Sequence, residues 1–524
     1  MLRTVAPIFL SICALIPFGC ASPGTDSPSE KAAATTGAEK TEGPPAWILA
    51  SQKQPRGLMV HETGASDAYV LFSQLTSGTI YLIDRDARVV HTWETDKVGA
   101  GLYFQDDGTL LRSARIPEPP NFRAGGISGF LQRIDWDGEI LWEWRMVDEK
   151  RALHHDIEPL PNGNILALAW EQKSKEEAAA VGRLPGLIPE QGLWSEWIVE
   201  IEPVGADDAR IVWEWHVWDH LVQNLDSNAP NYGEPAEHPH RLDINAGNVT
   251  FVDEEELEQL KALGYVPDNA TADDMQSDFL HINSIDYHPE LDQIALSVPQ
   301  TGEVWILDHS TTTDEARGSS GGRRGRGGDL LYRWGNPSAY GRGDKSEQHL
   351  FAQHQAIWIP EGLAGAGNMT VFNNGGERGW SSVVEISPAV DGSGGYPLAE
   401  GEAWGPEKPL WVYEAPERES FYAPFISGAV RLENGNTLIC SGPQGRYFEV
   451  TPNGEIVWEY LNPYHGDVPG WNPPGVESLF YASFRANPIA RNHPGLAGRE
   501  LKPLEPQPEE YVPPPEKPTS EGSR

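Results

Sequence analysis

Cysteine is almost absent from this chain of 524 residues. Of its three cysteines, Cys13 and Cys20 fall within the first 20 positions, which leaves Cys440 as the one cysteine of the folded part. A lone cysteine excludes a disulfide within the fold. Because Cys440 lies in the apolar run NTLICS, we expect it to be a buried core side chain rather than a nucleophile.

Positive charge is also scarce. The chain has 39 lysines and arginines against 77 aspartates and glutamates, which gives a net charge of −38. Such an excess of negative charge repels nucleic acid and anionic lipid, so we expect no nucleic-acid partner. Glycine (54), proline (44) and tryptophan (19) are plentiful instead, which favours turns and short aromatic strands over helices.

The apolar run within residues 1–20 is too short to span a bilayer, and it follows Arg3 in the pattern of an export signal. A Gly-Cys pair ending at Cys20 resembles the cleavage box of bacterial lipoproteins, although Pro17 stands where an aliphatic residue is usual. Cleavage by the ordinary signal peptidase is the alternative. Residues 21–54 are polar and aperiodic, which is typical of a disordered tether. We therefore expect an exported bacterial protein, periplasmic or anchored in the outer membrane, whose only membrane contact is lipid on Cys20.

One short pattern recurs six times, namely two apolar residues followed by aromatic side chains at alternate positions. Its copies are VVHTW (89–93), ILWEW (140–144), IVWEW (211–215), LLYRW (330–334), PLWVY (409–413) and IVWEY (456–460). A period of two indicates strands, and three more strand patterns precede each copy. Six repeats of four antiparallel strands predict an all-β, six-bladed β-propeller.

We expect the propeller to span residues 55–485, with its first blade near 58–93 and its last near 427–460. The proline-rich tail 486–524 would then lie outside it. Turns are short on one face of the predicted blades and long on the other, and long loops usually carry the functional site. The longest connection, 216–280, is predicted to be a lid-like insertion. The Gly/Arg-rich loop 313–329 falls on the opposite face, and we expect it to be a disordered surface excursion.

Three histidines occupy the same place in neighbouring repeats. His155, His281 and His354 stand at the start of the innermost strand of blades 3, 4 and 5. Inner strands of adjacent blades converge at one mouth of the channel, so we expect the three side chains to meet there. His154 is predicted to be the outward neighbour of His155.

Polar side chains surround this predicted ring of histidines. Second strands end on the same face, because strands alternate in direction, and their ends carry arginine and asparagine. Guanidinium groups bind small oxyanions through several donors at once. The candidate substrate-binding residues are Arg115, Asn283, Asn374, Arg378 and Arg446.

At these residues the chain resembles the bacterial arylsulfate sulfotransferase family over roughly residues 55–500. The matching stretches are HHDIEPLPNGNIL, HINSIDYHPELDQIALSV, YRWGNPSAYGRG and QHQAIWIPEGLAGAGNMTVFNNG. The resemblance implies a periplasmic six-bladed propeller that moves a sulfuryl group from a phenolic sulfate ester to a phenol. It also implies that His354 is transiently sulfated, that His155 and His281 assist, and that no metal or other cofactor is needed.

This chain departs from the family at two places. An arginine that binds the sulfuryl oxygens often follows the second strand of blade 4, where this chain has Pro299. The family's QHDA reads QHQA here. The missing positive charge would have to come from another blade, through Arg115, Arg378 or Arg446.

Two other functions remain open at this point. Three histidines on one ring could bind Zn²⁺ with an open fourth position, which would make a hydrolase or lyase. The loss of arginine at Pro299 is also compatible with a non-catalytic, ligand-binding propeller lipoprotein.

Overall fold

The computed structural model describes residues 54–247, 253–262, 266–467 and 479–510. Cys20, the export segment and almost all of the tether lie outside these ranges. Six antiparallel sheets are arranged in a ring, in which the inner strand of each sheet contacts that of the next. This confirms the six-bladed propeller.

From the axis outwards, the strands of each blade are as follows. Blade 1 has Ala486–Ile489, Tyr69–Ser73, Thr79–Ile83 and Val89–Glu94. Blade 2 has Gly99–Phe104, Leu110–Arg115, Gly129–Ile134 and Ile140–Arg145. Blade 3 has Arg151–Pro159, Ile165–Lys173, Leu193–Val204 and Asp208–His216.

Blade 4 has Ser284–His288, Gln293–Val298, Glu303–Asp308 and Tyr332–Trp334. Blade 5 has His354–Trp358, Met369–Asn373, Ser382–Ile386 and Trp411–Tyr413. Blade 6 has Gly428–Arg431, Thr437–Ser441, Arg446–Val450, Ile456–Leu461 and a fifth, outermost strand Gly57–His61. Two short pairs lie outside the blades: Leu221–Val222 with Leu242–Asp243, and Gly466–Asp467 with Leu479–Phe480.

The two ends of the described chain close the ring. Strand Ala486–Ile489 pairs with Tyr69–Ser73 and so forms the inner edge of blade 1. Strand Gly57–His61 pairs with the outer strand of blade 6. The predicted end of the propeller at residue 485 and the predicted start of blade 1 near residue 58 are therefore both wrong. Each terminal strand completes the blade built by the other end of the chain.

The repeated aromatic pattern links each blade to the next. In every blade, a tryptophan of the outer strand donates its indole N–H to a backbone carbonyl at the third-to-fourth turn of the following blade. The six bonds run from Trp93 to Asp135, Trp142 to Asp208, Trp215 to Gly328, Trp334 to Pro406, Trp411 to Pro452 and Trp458 to Arg85. Buried indole N–H groups need such acceptors. The sequence repeat therefore marks a closed circle of hydrogen bonds between blades.

Helices are short and lie outside the blades. The α-helices are Lys175–Ala180, Glu254–Ala262, Ala272–Ser277 and Thr313–Ala316. Single 3₁₀ turns occur at Pro185–Leu187, Val217–His220, Pro235–Glu237, Pro337–Tyr340, Lys345–Glu347, Arg418–Ser420, Gly442–Gln444 and Pro494–Leu496. None of the helices in the described ranges is long and apolar enough to cross a membrane.

The insertion 216–280 has two parts with different places in the fold. Its first part runs along the outer strand of blade 4, where the carbonyl of Arg241 accepts from Arg333 at 2.9 Å. Its second part packs helix Ala272–Ser277 against blade 3, where Ser277 donates to the carbonyl of Gly192. Of the residues described in this insertion, those of the second part approach the predicted site, through Asp278 next to His281.

The Gly/Arg-rich loop 313–329 is folded, so the prediction of a disordered excursion is wrong. It opens with helix Thr313–Ala316, which Thr312 and Glu315 cap. Its arginines pair with carboxylates of the surrounding strands and turns: Arg317 with Glu214, Arg323 with Asp292 and Arg324 with Asp308. In an acidic protein these ion pairs tie the loop to the blade surface.

Cys440 is buried in the strand Thr437–Ser441, as predicted. Burial raises the pKa of its thiol far above the usual range. A thiol that stays protonated and enclosed is not a nucleophile.

We expect a chain that ends at Arg485 to lose cooperative folding, because the second strand of blade 1 would have no inner partner. A chain that ends at Glu510 keeps the closing strand and is the matched control. Thermal unfolding followed by circular dichroism should show a normal midpoint for the control and a much lower one, or none, for the shorter chain. Equal midpoints would contradict the closure.

Candidate active site

The three predicted histidines meet at one end of the channel. The rings of His155 and His281 are in edge-to-face contact, with centroids 4.5 Å apart. His354 lies within electrostatic range of both His155 and His281. His155 and His354 are buried, whereas 15% of the His281 side chain is exposed.

Residues with left-handed backbone conformation set the direction of the side chains at this end of the channel. A residue in or just before the inner strand has positive φ in blades 3 to 6: His155 (44°), His281 (54°), Gln355 (45°) and Ser427 (88°). Such conformations are strained for residues other than glycine and cluster at functional sites. His155 lies in the middle of the strand Arg151–Pro159, so its predicted place at the strand start is wrong. The strand register shifts at His155 and at Gln355, as at a β-bulge, which redirects a side chain. The positive φ falls on His155 itself in blade 3 but on Gln355, the residue after His354, in blade 5, so the two histidines do not occupy the same backbone position.

Asn374 fixes the proton of His354. Nδ1–H of His354 donates to Oδ1 of Asn374 at 2.9 Å, and the Asn374 amide donates to the carbonyls of Ala423 and Ile426. Because both amide protons are used in this way, its oxygen must accept from the ring. Asn374 is thus placed to orient His354, and its polar groups are already occupied.

Nε2 of His354 carries the lone pair of a neutral ring. The backbone N–H of Ile426 donates to this nitrogen at 3.1 Å. Burial lowers the pKa of His354 to about 3, and the positive charges of His281 and Arg485 act in the same direction. At neutral pH the ring is therefore an uncharged base.

His281 is the most readily protonated of the three. Its Nδ1 is hydrogen-bonded to Oδ2 of Asp278, which comes from the insertion. Burial opposes a charge on the ring, but the negative charge of Asp278 and this hydrogen bond outweigh it and raise the pKa of His281. The site therefore combines a cationic imidazole with neutral ones.

His155 belongs to a buried chain of three polar groups. Its Nδ1 is 2.9 Å from Nδ1 of His154, and Nε2 of His154 is 2.9 Å from Oε2 of Glu196. His154 points outwards and stacks on Trp170 with a centroid distance of 4.1 Å, so its predicted outward position is confirmed. Burial lowers the pKa of His155 well below its usual range, so this ring too is neutral.

Arg485 supplies a buried positive charge that the sequence did not indicate. Its guanidinium pairs with Asp156 at 2.7 Å and donates to the carbonyl of Asn283 at 3.3 Å. Its charge contributes to the low pKa values of His155 and His354. Arg485 is the last residue of the predicted propeller and directly precedes the closing strand Ala486–Ile489, which lies beyond the predicted end. The short strand-like run ANPI after it was the available signal.

Arg115 and His155 line a small cavity. Its walls are largely apolar and include Val98, Ile127, Ile426 and Phe484, and its volume is about 50 Å³. This is room for a few water molecules, far below the roughly 300–1,000 Å³ of typical ligand pockets. The cavity as it stands is too small for a ligand with an aromatic ring.

The other predicted arginines make their contacts elsewhere. Arg378 donates to Ser382 and lies between the rings of Phe351 and Trp380. Arg446 pairs with Glu459 on the fourth strand of blade 6, Ile456–Leu461, at 2.5 Å. No hydrogen bond, ion pair or ring contact between these two arginines and the three histidines occurs in the described ranges, so their predicted place in the ring is wrong.

Asn283 and Pro299 both lie where the sequence places them. Asn283 is buried beside His281, and its amide donates to the carbonyl of Gln353 at 2.9 Å. Its Oδ1 accepts no hydrogen bond from any residue described, so it can still accept one from a ligand. Pro299 begins the turn that closes at Gly302, after the second strand of blade 4. Arg485, which leads into blade 1, donates to the carbonyl of Asn283 at 3.3 Å and so brings a positive charge to this part of the site.

The side-chain arrangement does not support the zinc alternative. Nδ1 of each of the three histidines is hydrogen-bonded within the protein, and Nε2 of His354 also has a partner. Within the described ranges, no three histidine, cysteine or acidic side chains are placed to share a metal ion.

The six-bladed propeller thus gathers three imidazoles and a guanidinium at one mouth of its channel. The sequence model of the arylsulfotransferase (ASST) family matches residues 50–462. The chain belongs to the arylsulfotransferase family. A comparison with curated proteins gives no match.

Several solved structures are similar over most of the chain. A protein of unknown function from Bacteroides caccae is 12% identical, with a TM-score of 0.40 over 81% of this chain and 99% of that one. A putative 6-phosphogluconolactonase from Bacteroides fragilis is 9% identical, with a TM-score of 0.37 over 82% and 99%. Virginiamycin B lyase from Staphylococcus aureus is 11% identical, with a TM-score of 0.32 over 78% and 89%. Similarities this low carry no further argument.

Replacing Asp278 with Asn should lower the pKa of His281 below its ordinary value of about 6.5, because burial would then act without the opposing carboxylate. The ion pair stabilises the fold most below about pH 6.5, and this contribution is lost as pH rises through the raised pKa of the folded state. Titration of the His281 ring by NMR measures the shift. The variant Asp329→Asn removes the partner of another buried histidine, His220, and should leave His281 unchanged. An unaltered His281 titration in Asp278→Asn would refute the assignment.

Proposed function

We propose that this protein transfers a sulfuryl group from a phenolic sulfate ester to a phenolic acceptor, through a sulfo-histidine at His354. The observation that carries the proposal is the hydrogen bonding of His354, which fixes a neutral ring with its lone pair on Nε2. His281 and Arg485 place positive charge beside it. A neutral imidazole is the nucleophilic form, and nearby cations stabilise the charge of the sulfuryl oxygens.

In the first step, Nε2 of His354 attacks sulfur as the bond from sulfur to the phenolic oxygen breaks. The leaving group is a phenolate, and because its conjugate acid has a pKa of about 10, it leaves far more readily than an alkoxide. A second phenol then takes the sulfuryl group from His354, which completes a two-step covalent route. Arginine and imidazolium donors are suited to the oxygens of the transferred group. The route needs no metal or other cofactor.

Ile426 must move before the first step. Its backbone N–H occupies Nε2 of His354, and it also lines the small cavity next to His155. Its φ of 46° is unfavourable for a β-branched residue, at a cost of about 1–3 kcal/mol. Leaving this conformation would relieve the strain, open the cavity and free the lone pair of His354 together. Entry of the donor is thereby linked to activation of the nucleophile.

The enzyme is proposed to work outside the cytoplasm, in the periplasm or at the outer membrane. The apolar run within residues 1–20 and the Gly-Cys pair support export and lipidation of Cys20. We expect a labelled fatty acid fed to an expressing bacterium to be incorporated, and Cys20→Ser to abolish the label. The variant Cys13→Ser changes the other cysteine of the signal and should retain it. A labelled Cys20→Ser protein would show that the lipid is elsewhere, whereas an unlabelled but exported parent would indicate ordinary signal-peptidase cleavage.

Replacing His354 with Asn should abolish sulfuryl transfer, because the nucleophilic nitrogen is lost. Intact-mass measurement after mixing with an aryl sulfate should show one added sulfuryl group on the unmodified protein and none on the variant. Replacing His281 with Gln removes a charged donor and should slow adduct formation by about a hundred- to a thousandfold without preventing it. His91→Asn changes a partly buried histidine of blade 1 and should react like the unmodified protein.

Two results would overturn these assignments. An adduct on His354→Asn would move the nucleophile to His155, whose Nε2 forms no hydrogen bond with any residue the structure describes. If the unmodified protein forms no adduct with several aryl sulfates and transfers nothing to added phenol, it is the non-catalytic, ligand-binding member of the family.

A further inference from the structure

We propose that Glu196, His154 and His155 form a proton relay that protonates the leaving phenolate and deprotonates the accepting phenol. This inference deepens the proposed function and rests on it. His155 would be the group that contacts the phenolic oxygen, and His154 and Glu196 would be positioning residues that act through it. The nucleophilic route gives roles to Asp278, which pairs with His281, and to Asn374, which orients His354. It gives none to Glu196, a carboxyl group buried behind two histidines.

The geometry defines a continuous path for the proton. The backbone N–H of Ile282 donates to Oε1 of Glu196 at 2.8 Å, so the other oxygen, Oε2, faces Nε2 of His154. The opposite nitrogen of His154, Nδ1, faces Nδ1 of His155. Nε2 of His155 is the end of the path, and His155 lines the cavity shared with Arg115.

The backbone also holds the His155 end of the relay. The N–H of His155 donates to the carbonyl of Gly126 at 2.7 Å. Gly126 lies so close to the imidazole that a Cβ there would be 2.2 Å from its Nε2. Glycine is therefore required at this position, because any side chain would displace the ring at the end of the path.

The surroundings favour a proton on Glu196 at rest. The side chains of His154 and Glu196 are 0% exposed. Burial, with the negative charge of Asp278 added, raises the pKa of Glu196, while burial lowers the pKa of His154 to about 3. The charged groups that face Glu196 are Asp278 and His281. Those that face His155 are His281 and Arg485, and the neutral His354 lies beside His155. The pair is thus a neutral carboxylic acid next to a neutral imidazole.

Three coupled transfers complete the donor step. As the sulfur–oxygen bond breaks, the phenolic oxygen takes the proton from Nε2 of His155. Nδ1 of His155 takes the proton of His154 Nδ1, and Nε2 of His154 takes the proton of Glu196, which becomes a carboxylate. The accepting phenol later reverses all three transfers, so no proton is released overall. The carboxylate forms while the sulfo-imidazolium, His281 and Arg485 are present.

Dependence on the leaving group tests the relay. General acid catalysis typically contributes about 10²–10⁴-fold, and it matters only when the leaving phenolate is basic. We expect Glu196→Gln to slow adduct formation from phenyl sulfate about a hundredfold. The reaction with 4-nitrophenyl sulfate, whose leaving group is much more acidic, should be nearly unchanged. Glu200→Gln lies on the same strand, Leu193–Val204, and should alter neither rate.

The possible outcomes separate this proposal from the function itself. Equal slowing with both donors means a merely structural role for Glu196, and unchanged rates mean no role, so either overturns the relay while sulfuryl transfer stands. No adduct on the unmodified protein overturns both. If Glu196→Gln does not fold, His154→Gln interrupts the same path and should give the same selective loss. If neither variant folds, the unmodified enzyme decides: the relay predicts a shallow dependence of rate on leaving-group pKa, and a steep one overturns it.

Discussion

A single buried ion pair, Asp156 with Arg485, joins the parts of the molecule that make the site. Asp156 belongs to the inner strand of blade 3 and also accepts from Tyr103 of blade 2 and from the backbone of Ile285 in blade 4. Arg485 leads into the strand that closes the ring in blade 1. Removing one partner of such a pair typically costs about 3–5 kcal/mol. The pair therefore couples closure of the propeller to the positions of the histidines and places a cation beside them.

The number and kind of blades follow from a periodic physical requirement. Each outer strand needs an aromatic donor that reaches the next blade, and Trp93, Trp215 and Trp458 illustrate this from three different blades. Because each of the six blades needs this aromatic donor, the pattern recurs six times in the sequence, and both the fold and the number of blades could be predicted from it. The closing strand Ala486–Ile489 has no copy of that pattern and contains a proline. Apart from the short run ANPI, nothing local distinguishes it from a tail, because its pairing with Tyr69–Ser73 is set by the ring as a whole.

The sequence predicted only those residues of the candidate site that occupy the same position in successive blade repeats. His155, His281 and His354 share a repeat position, and their meeting follows from the fold. Their charges do not, because burial keeps His354 neutral while Asp278 keeps His281 protonated. Asp278 comes from the insertion and Glu196 from a third strand, where no pattern points to the axis. Arg378 and Arg446 were predicted to join the site because they follow strand ends on the correct face. Their side chains instead contact residues of their own blades.

The central claim is that the neutral His354, and not another imidazole of the ring, receives the sulfuryl group. Rapid quenching of the unmodified protein with an aryl sulfate in the absence of acceptor, followed by proteolysis at a pH that preserves the nitrogen–sulfur bond, would locate the group by tandem mass spectrometry. The modified peptide is predicted to contain the segment QHQAIW, with the sulfuryl group on His354. Modification of the HHDIEP or HINSID segment instead would contradict the claim.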